Sequence, residues 1–365
     1  MKQDNPNVVG SRSRFCPDCG ESVVVGVDRR EFLRTAGAAA ATVVAGNLVE
    51  WAVPKASAAP VSTVRGDSET AAKALYDSLT DAQRKEICFD WNYVDPERGL
   101  LRTRVSNNWQ ITNPHINSEF FTKEQQALVH DVFKSLFNPE WYPKLIKQLK
   151  DDTGGKPWGA EQSIAMFGQP GGNFMFVMTG RHMTIRADGN CEAHMALGGP
   201  IFHGHAASGF NEEVHHPGNV FWHQALLANN VYQVLDGKQR DLAMVSRLPA
   251  ESAVSFRGTK GKFPGIPVSE MTSDQKGELQ KVLTSLIQPY REVDQKEIQE
   301  CLKKQGGLDA CSLAFYRAED IGDDEEWDNW RLEGPSFVWY FRGSPHVHIW
   351  INVSDDSSVE TNAKG

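Results

Sequence analysis

Several common function signals are missing from this chain. No stretch beyond residue 58 is long and apolar enough to cross a bilayer. The formal charge is −9 and no basic stripe is present, which argues against a nucleic-acid partner. There is no Walker loop, no G-x-S-x-G elbow and no H-E-x-x-H helix. The acidic run from Asp323 to Asp328 lacks the alternating ligands and turn glycine of a calcium loop, and reads as a solvated loop. Cysteine is scarce, six in 365 residues. Cys301 and Cys311 flank Gly306-Gly307 and can pair in an oxidising compartment, although spacing alone does not establish a bridge.

What is present begins near the N-terminus. Asp28-Arg29-Arg30-Glu31-Phe32-Leu33-Arg34 precedes a weakly apolar, alanine-rich run from about Thr35 to Val53. Ala56-Ser57-Ala58 then supplies a small-x-small cleavage pattern. Together these read as a twin-arginine signal over residues 1–58, served by the twin-arginine translocase and a signal peptidase. The expected location is periplasmic or extracellular, without a permanent membrane span, because Asn47 and Glu50 interrupt the apolar run. That route carries folded cargo, so a cofactor loaded before export is compatible with it. Cys16-Pro17-Asp18-Cys19 in the leader offers half a tetrahedral zinc site, and no second pair follows at ribbon spacing.

Residues 59–353 are expected to form a single α+β domain, with 354–365 as a flexible tail. No tandem repeat is visible, but a helix-start pattern recurs at Thr80–Gln83, Thr122–Gln125 and Thr272–Gln275. In each, the Thr hydroxyl can accept from the N3 amide while Gln reaches back to the cap. The middle one opens an amphipathic helix with Leu128, Val129, Val132, Phe133, Leu136 and Phe137 on one face. Further helices are expected over about 217–235 and from Thr272 to near Gln305. Strands are read at Phe174–Thr179, Arg181–Ala187, Cys191–Met195, Ser336–Phe341 and His346–Val353. The fold class is therefore an antiparallel or mixed sheet built from hairpins, flanked by amphipathic helices.

The eleven histidines are unevenly placed. In His346-Val347-His348-Ile349-Trp350-Ile351-Asn352-Val353, strict alternation turns the aliphatic residues to the core. His346 and His348 then project together from the other face. A three-residue loop at Asp188-Gly189-Asn190 would pair Arg186 with Glu192 and Thr184 with His194, and gather His182 on that same face. Phe202-His203-Gly204-His205 repeats the His-x-His spacing. The candidate metal ligands are therefore His182, His203, His205, His346 and His348. Arg181 and Arg186 are candidates for orienting an anionic substrate. Neutral imidazoles with few carboxylates suit Zn, Cu or Fe better than Mg or Ca. His115 and His130 read as ordinary polar residues, His194 as a weaker metal or catalytic candidate, and His215, His216 and His223 as weaker ligand candidates.

The order of these pieces resembles the exported proteins grouped as domain-of-unknown-function family 3500. The resemblance runs from about Glu69 to Val353 and rests on five segments. They are Leu79-Thr80-Asp81-Ala82-Gln83-Arg84; Phe167-Gly168-Gln169-Pro170 leading to Gly180-Arg181-His182-Met183; Gly199-Pro200-Ile201-Phe202; Trp330-Arg331-Leu332-Glu333-Gly334-Pro335; and His346-Val347-His348. The resemblance implies Gly-His-His-Leu at the first hairpin and His-Ile-His near the end. Here Arg181 replaces the first of the paired histidines, and Tyr340 stands where a Glu is usual. The Arg-Asp-Pro that often follows the last histidine is absent, and His203 and His205 are additional. The expectation carried forward is an exported metal-dependent enzyme, hydrolytic with zinc or oxidative with copper or iron. The alternative is a non-catalytic metal- or ligand-binding protein.

Overall fold

A computed structural model describes residues 12–16, 21–25, 67–189, 191–206, 219–322, 324 and 326–363. The expected twin-arginine motif and cleavage site, with Cys19, His215 and His216, lie outside these residues. Helices α1 (Asp67–Ser78), α2 (Asp81–Ile87), α3 (Lys123–Ser135) and α4 (Tyr142–Asp152) come first. They are followed by α5 (Trp222–Val234), α6 (Gly237–Ala243), α7 (Ser273–Ile287) and α8 (Glu292–Lys304). All three expected capping boxes form, and a fourth opens α6 at Asp236–Gln239. The helix expected from Thr272 to Gln305 is two, α7 and α8. Pro289 lies between them, lacks an N–H and disfavours a helical residue before it.

The main sheet is mixed and eleven-stranded. Its first half comprises β3 (Cys88–Phe89), β6 (Gln162–Gly168), β7 (Phe174–Gly180), β8 (Met183–Ala187) and β9 (Ile201–His205). Its second comprises β10 (Met244–Val245), β11 (Ile266–Pro267), β12 (Ser312–Tyr316), β13 (Asn329–Gly334), β14 (Phe337–Arg342) and β15 (Val347–Val353). The order is β10-β12-β13-β14-β15-β9-β8-β7-β6-β3, with β11 also on β12. Small hairpins stand apart at β1 (Arg12–Cys16) with β2 (Glu21–Val25), and β4 (Val94–Asp95) with β5 (Gly99–Leu100). No helix among the described residues is long and apolar enough to cross a membrane.

The hairpin expected between Arg181–Ala187 and Cys191–Met195 does not form. β8 pairs on one side with β7 and on the other with β9, through Met183↔His203 and Thr184↔Phe202. Residues after Asp188 turn instead: its carbonyl accepts from Cys191 N (3.0 Å) and its carboxylate from Glu192 N (2.9 Å). An Asp that satisfies two amides in its own loop outcompetes a strand pairing there.

A repeat, invisible in the sequence reading, organises the fold. Each half runs helix, short capped helix, two-residue strand, capped helix, further helix and four antiparallel strands. β3 lies parallel to β6, and β10 parallel to β12. The helix contacts repeat atom for atom. Gln83 Nε2 donates to Phe120 O and Gln125 Oε1, and Gln125 Nε2 to Ser78 O. In the second half Gln239 Nε2 donates to Glu270 O and Gln275 Oε1, and Gln275 Nε2 to Val234 O. Pro139 and Pro289 both interrupt the paired helices, and Gly180 and Gly334 both end a strand before a two-residue turn. The halves meet where β9 pairs antiparallel with β15, from Ile201↔Ile351 to His205↔Val347. Counting from the β8–β9 and β14–β15 registers, Ile201 and Ile351 occupy corresponding places. An approximate two-fold axis therefore passes through that pair.

Helices cover one face of the sheet, burying Met166, Phe176, Ile185, Ile201, Trp339, Ile349 and Ile351 among others. Loops cover the opposite face, with Leu101 and Ile111 over the first half and Val254 over the second. Residues 354–363, read from sequence as a tail, lie against those loops. Asn362 Nδ2 donates to Arg98 O (2.6 Å), Ala363 O accepts from Val254 N (3.1 Å), and Ala363 is 1% exposed.

Candidate metal centre

Alternation along β15 places Val347, Ile349, Ile351 and Val353 in the helix-side core. His348 and Trp350 are thereby turned to the loop-covered face, in line with the sequence pattern. Across the seam, Gly204 pairs with His348. A Cβ there would sit 2.4 Å from Val347 O and 3.0 Å from the His348 ring, so glycine makes room for the imidazole. His182 arrives from the Arg181-His182 turn between β7 and β8. Its backbone is left-handed (φ 50), pinned by Asn108 Oδ1, which accepts its N–H at 3.0 Å, and by Gly204 N, which donates to its carbonyl at 3.1 Å. His346 enters from the loop that precedes β15.

The three rings converge. His182 Nε2 lies 3.2 Å from His348 Nε2 and 3.3 Å from His346 Nε2, and all three are at most 1% exposed. Among the described residues this is the one group of three or more His, Cys, Asp or Glu side chains able to hold a metal ion. Buried carboxylates sit behind two of the rings. Asp152, at the end of α4, takes His182 Nδ1 on Oδ2 at 2.7 Å. It also accepts from Arg181 Nε (3.1 Å) and, on Oδ1, from Ala206 N (2.7 Å). Glu251 Oε1 accepts from His348 Nδ1 and lies 3.3 Å from Arg342 Nη1.

These carboxylates decide the tautomers. Each accepts only, so it holds the proton on Nδ1 and leaves Nε2 with its lone pair directed inward. His182 and His348 therefore present two acceptors to one another at 3.2 Å. Such a pair repels unless a cation or an extra proton lies between. Nitrogens bound to one tetrahedral zinc at about 2.0–2.1 Å stand about 3.3–3.4 Å apart, and the observed spacings match that edge. Burial alone would raise the Asp152 carboxyl, but His182, Arg181 and the Ala206 amide outweigh it and hold it well below the usual range. Burial, then His348 and His182, push the His346 imidazole far below its ordinary value, so it is neutral, as a ligand must be.

The remaining candidates lie outside the triad, although His205 is near enough to act electrostatically on His346. His203 and His205 alternate with Gly204, so they share the core face with Ile349 and Val347. His203 Nδ1 is 3.4 Å from Tyr290 OH, and burial, with His205 nearby, lowers its pKa to about 3. Arg181 stays near the triad through Asp152, and its side chain is partly exposed. It lines a surface cleft of about 380 Å³ with Asn108, Trp109, Gln110, His115 and Glu161. Arg186 is buried at 3% exposure, and its guanidinium donates to the carbonyls of Arg102, Arg104 and Pro200. His194 bonds Asp355 at the surface, and His223 packs on Trp141. Cys301 and Cys311 are free thiols.

With the geometry established, comparison with known proteins places the chain. The model of the family described as "Protein of unknown function (DUF3500)" matches residues 62–351. The chain belongs to the DUF3500 family. No curated protein and no solved structure matches it. In this DUF3500 chain His182, His346 and His348, all within the matched residues, are the histidines that converge. Asp152 and Glu251 were not found from sequence, because nothing local marks a carboxylate that acts from a helix end or a covering loop. Tyr340 is buried, with the Arg331 guanidinium over its ring.

Proposed function

We propose that this protein is an exported metal-dependent enzyme whose site is one transition-metal ion, best fitted by zinc, on His182, His346 and His348. The observation that carries this reading is the 3.2 Å approach of two imidazole acceptors whose Nδ1 atoms are both committed to buried carboxylates. Three histidine ligands leave a tetrahedral ion one open position, the arrangement of catalytic zinc sites. Such an ion acts as a Lewis acid and lowers the pKa of water at its open position, which supports hydrolysis. Asp152 and Glu251 would hold the rings in register, and Arg181 stands on the neighbouring cleft, where it can meet an anionic group. A twin-arginine leader suits a protein that leaves the cytoplasm with its metal in place.

One observation favours a second reading, a non-catalytic metal-binding protein. All three imidazoles are at most 1% exposed, as suits an ion that is retained. Cobalt substitution separates the two. For an enzyme, the visible bands of the cobalt protein shift when a small anion such as azide is added, because the ion has an exchangeable position. A spectrum unchanged by anions indicates a closed shell and removes the enzyme reading.

A further inference from the structure

The three histidines do not come from one half of the fold. His182 and its partner Asp152 belong to the first repeat, and His346, His348 and Glu251 to the second. Each repeat contributes a buried carboxylate–histidine dyad, and the two dyads meet through their Nε2 atoms across the β9–β15 seam. The two-fold relation predicts a sister location, and it holds no imidazole. The turn matching Arg181-His182 is Pro335-Ser336, and Ser336 Oγ donates to Ser354 O at 2.7 Å. The places that match His346 and His348 fall on Ala196 and Gly198 in the segment before β9. Among the described residues this leaves one such site, to which both repeats supply ligands.

We propose that the ion ties the two repeats together, making the β9–β15 seam a metal-dependent interface between two copies of one fold. This rests on the metal-binding reading above but not on catalysis. Without a cation, the seam brings two imidazole acceptors face to face in a buried setting, which opposes closure. With one, the same atoms become ligands shared between the halves. Ion binding and repeat association are then thermodynamically linked, each favouring the other by the same factor.

Hydrogen exchange on the intact wild-type chain tests this, with Zn2+ alone as the probe and calorimetry run alongside. Openings that part the seam destroy the site, so free Zn2+ at about 100 times its Kd should slow them about 100-fold. Slowing is expected at the amides of Ile201–His205 and Val347–Ile351. The outer pairs β3–β6 and β10–β12, each inside one repeat, should change far less. Binding by calorimetry with unchanged seam exchange overturns the tie and leaves the metal site standing. Equal slowing at every strand also overturns it, as a general stabilisation. No heat and no protection overturn both the tie and the metal reading.

Discussion

Replacing Asp152 by Asn tests the tautomer argument with the smallest change of shape. Asp152 accepts three hydrogen bonds of known direction: His182 Nδ1 at 2.7 Å, Arg181 Nε at 3.1 Å and Ala206 N at 2.7 Å. An asparagine amide has one acceptor and one donor end. If the NH2 faces His182, it also meets the Arg181 Nε–H, Nδ1 must accept, the proton moves to Nε2, and the atom that should bind metal is blocked. If it faces Ala206 instead, two N–H groups confront each other in a buried site, which costs about 1–3 kcal/mol. The first arrangement lowers metal affinity and the second lowers stability, so the binding loss reads how far the first is populated without metal. Loss of a group that orients a ligand histidine typically lowers metal affinity 10–100-fold, or about 1.4–2.7 kcal/mol. The assay is a competitive Zn2+ titration against a chelator of known affinity near neutral pH, with circular dichroism to confirm the fold. Asp152→Asn should fall in that range or below, and Asp152→Ala should also weaken binding. If Asp152→Asn binds Zn2+ within about threefold of wild type, Asp152 does not set the His182 tautomer and the reasoning fails.

Two further predictions concern the seam and the helix side. Gly204→Ala would drive a Cβ to 2.4 Å from Val347 O, so thermal unfolding and Zn2+ titration should both show losses, of about 2 kcal/mol or more in stability. Unchanged values in both would mean the close approach is not required. Glu297 on α8 lies near Asp188 and Asp294 and accepts from Leu197 N at 3.2 Å; burial and those carboxylates push its pKa up to about 8. The folded state thus keeps a proton that the unfolded chain has lost above about pH 4.5, so this contribution is full below that pH and is lost as pH rises through 8. Each pH unit in that window is worth about 1.4 kcal/mol, and partial exposure reduces the total to about 2–4 kcal/mol. Glu297→Gln should flatten the stability profile between those limits in denaturant titrations, and parallel profiles for the two proteins would count against the buried acid.

The sequence disclosed what depends on local pattern. Capping boxes at Thr80, Thr122 and Thr272 were readable because cap and N3 residue are three positions apart. The alternation from His346 to Val353 gave the face of β15 and the shared direction of His346 and His348. What depended on distant partners was not readable. The second neighbour of β8 has no local signal, because the Asp188 loop satisfies its own amides and the strand completing the pair begins only at Ile201. That same register carries His203 and His205 to the core face. The repeat is hidden in the sequence because its halves share punctuation rather than extended identity: Asp236 stands in for Thr80, and only scattered residues coincide, Gln83 with Gln239 and Thr122 with Thr272 among them. Asp152 and Glu251 had no signal at all, since a helix end and a loop reach the histidines only after the sheet has formed.

The central claim is that His182, His346 and His348 bind one metal ion. Elemental analysis of the protein purified from its native source addresses it without assuming a substrate. About one equivalent of a transition metal per chain is predicted in the wild type, falling below about a tenth when all three histidines are replaced by alanine. A wild-type chain with less than about a tenth of an equivalent, or a triple variant that retains its metal, would contradict the account.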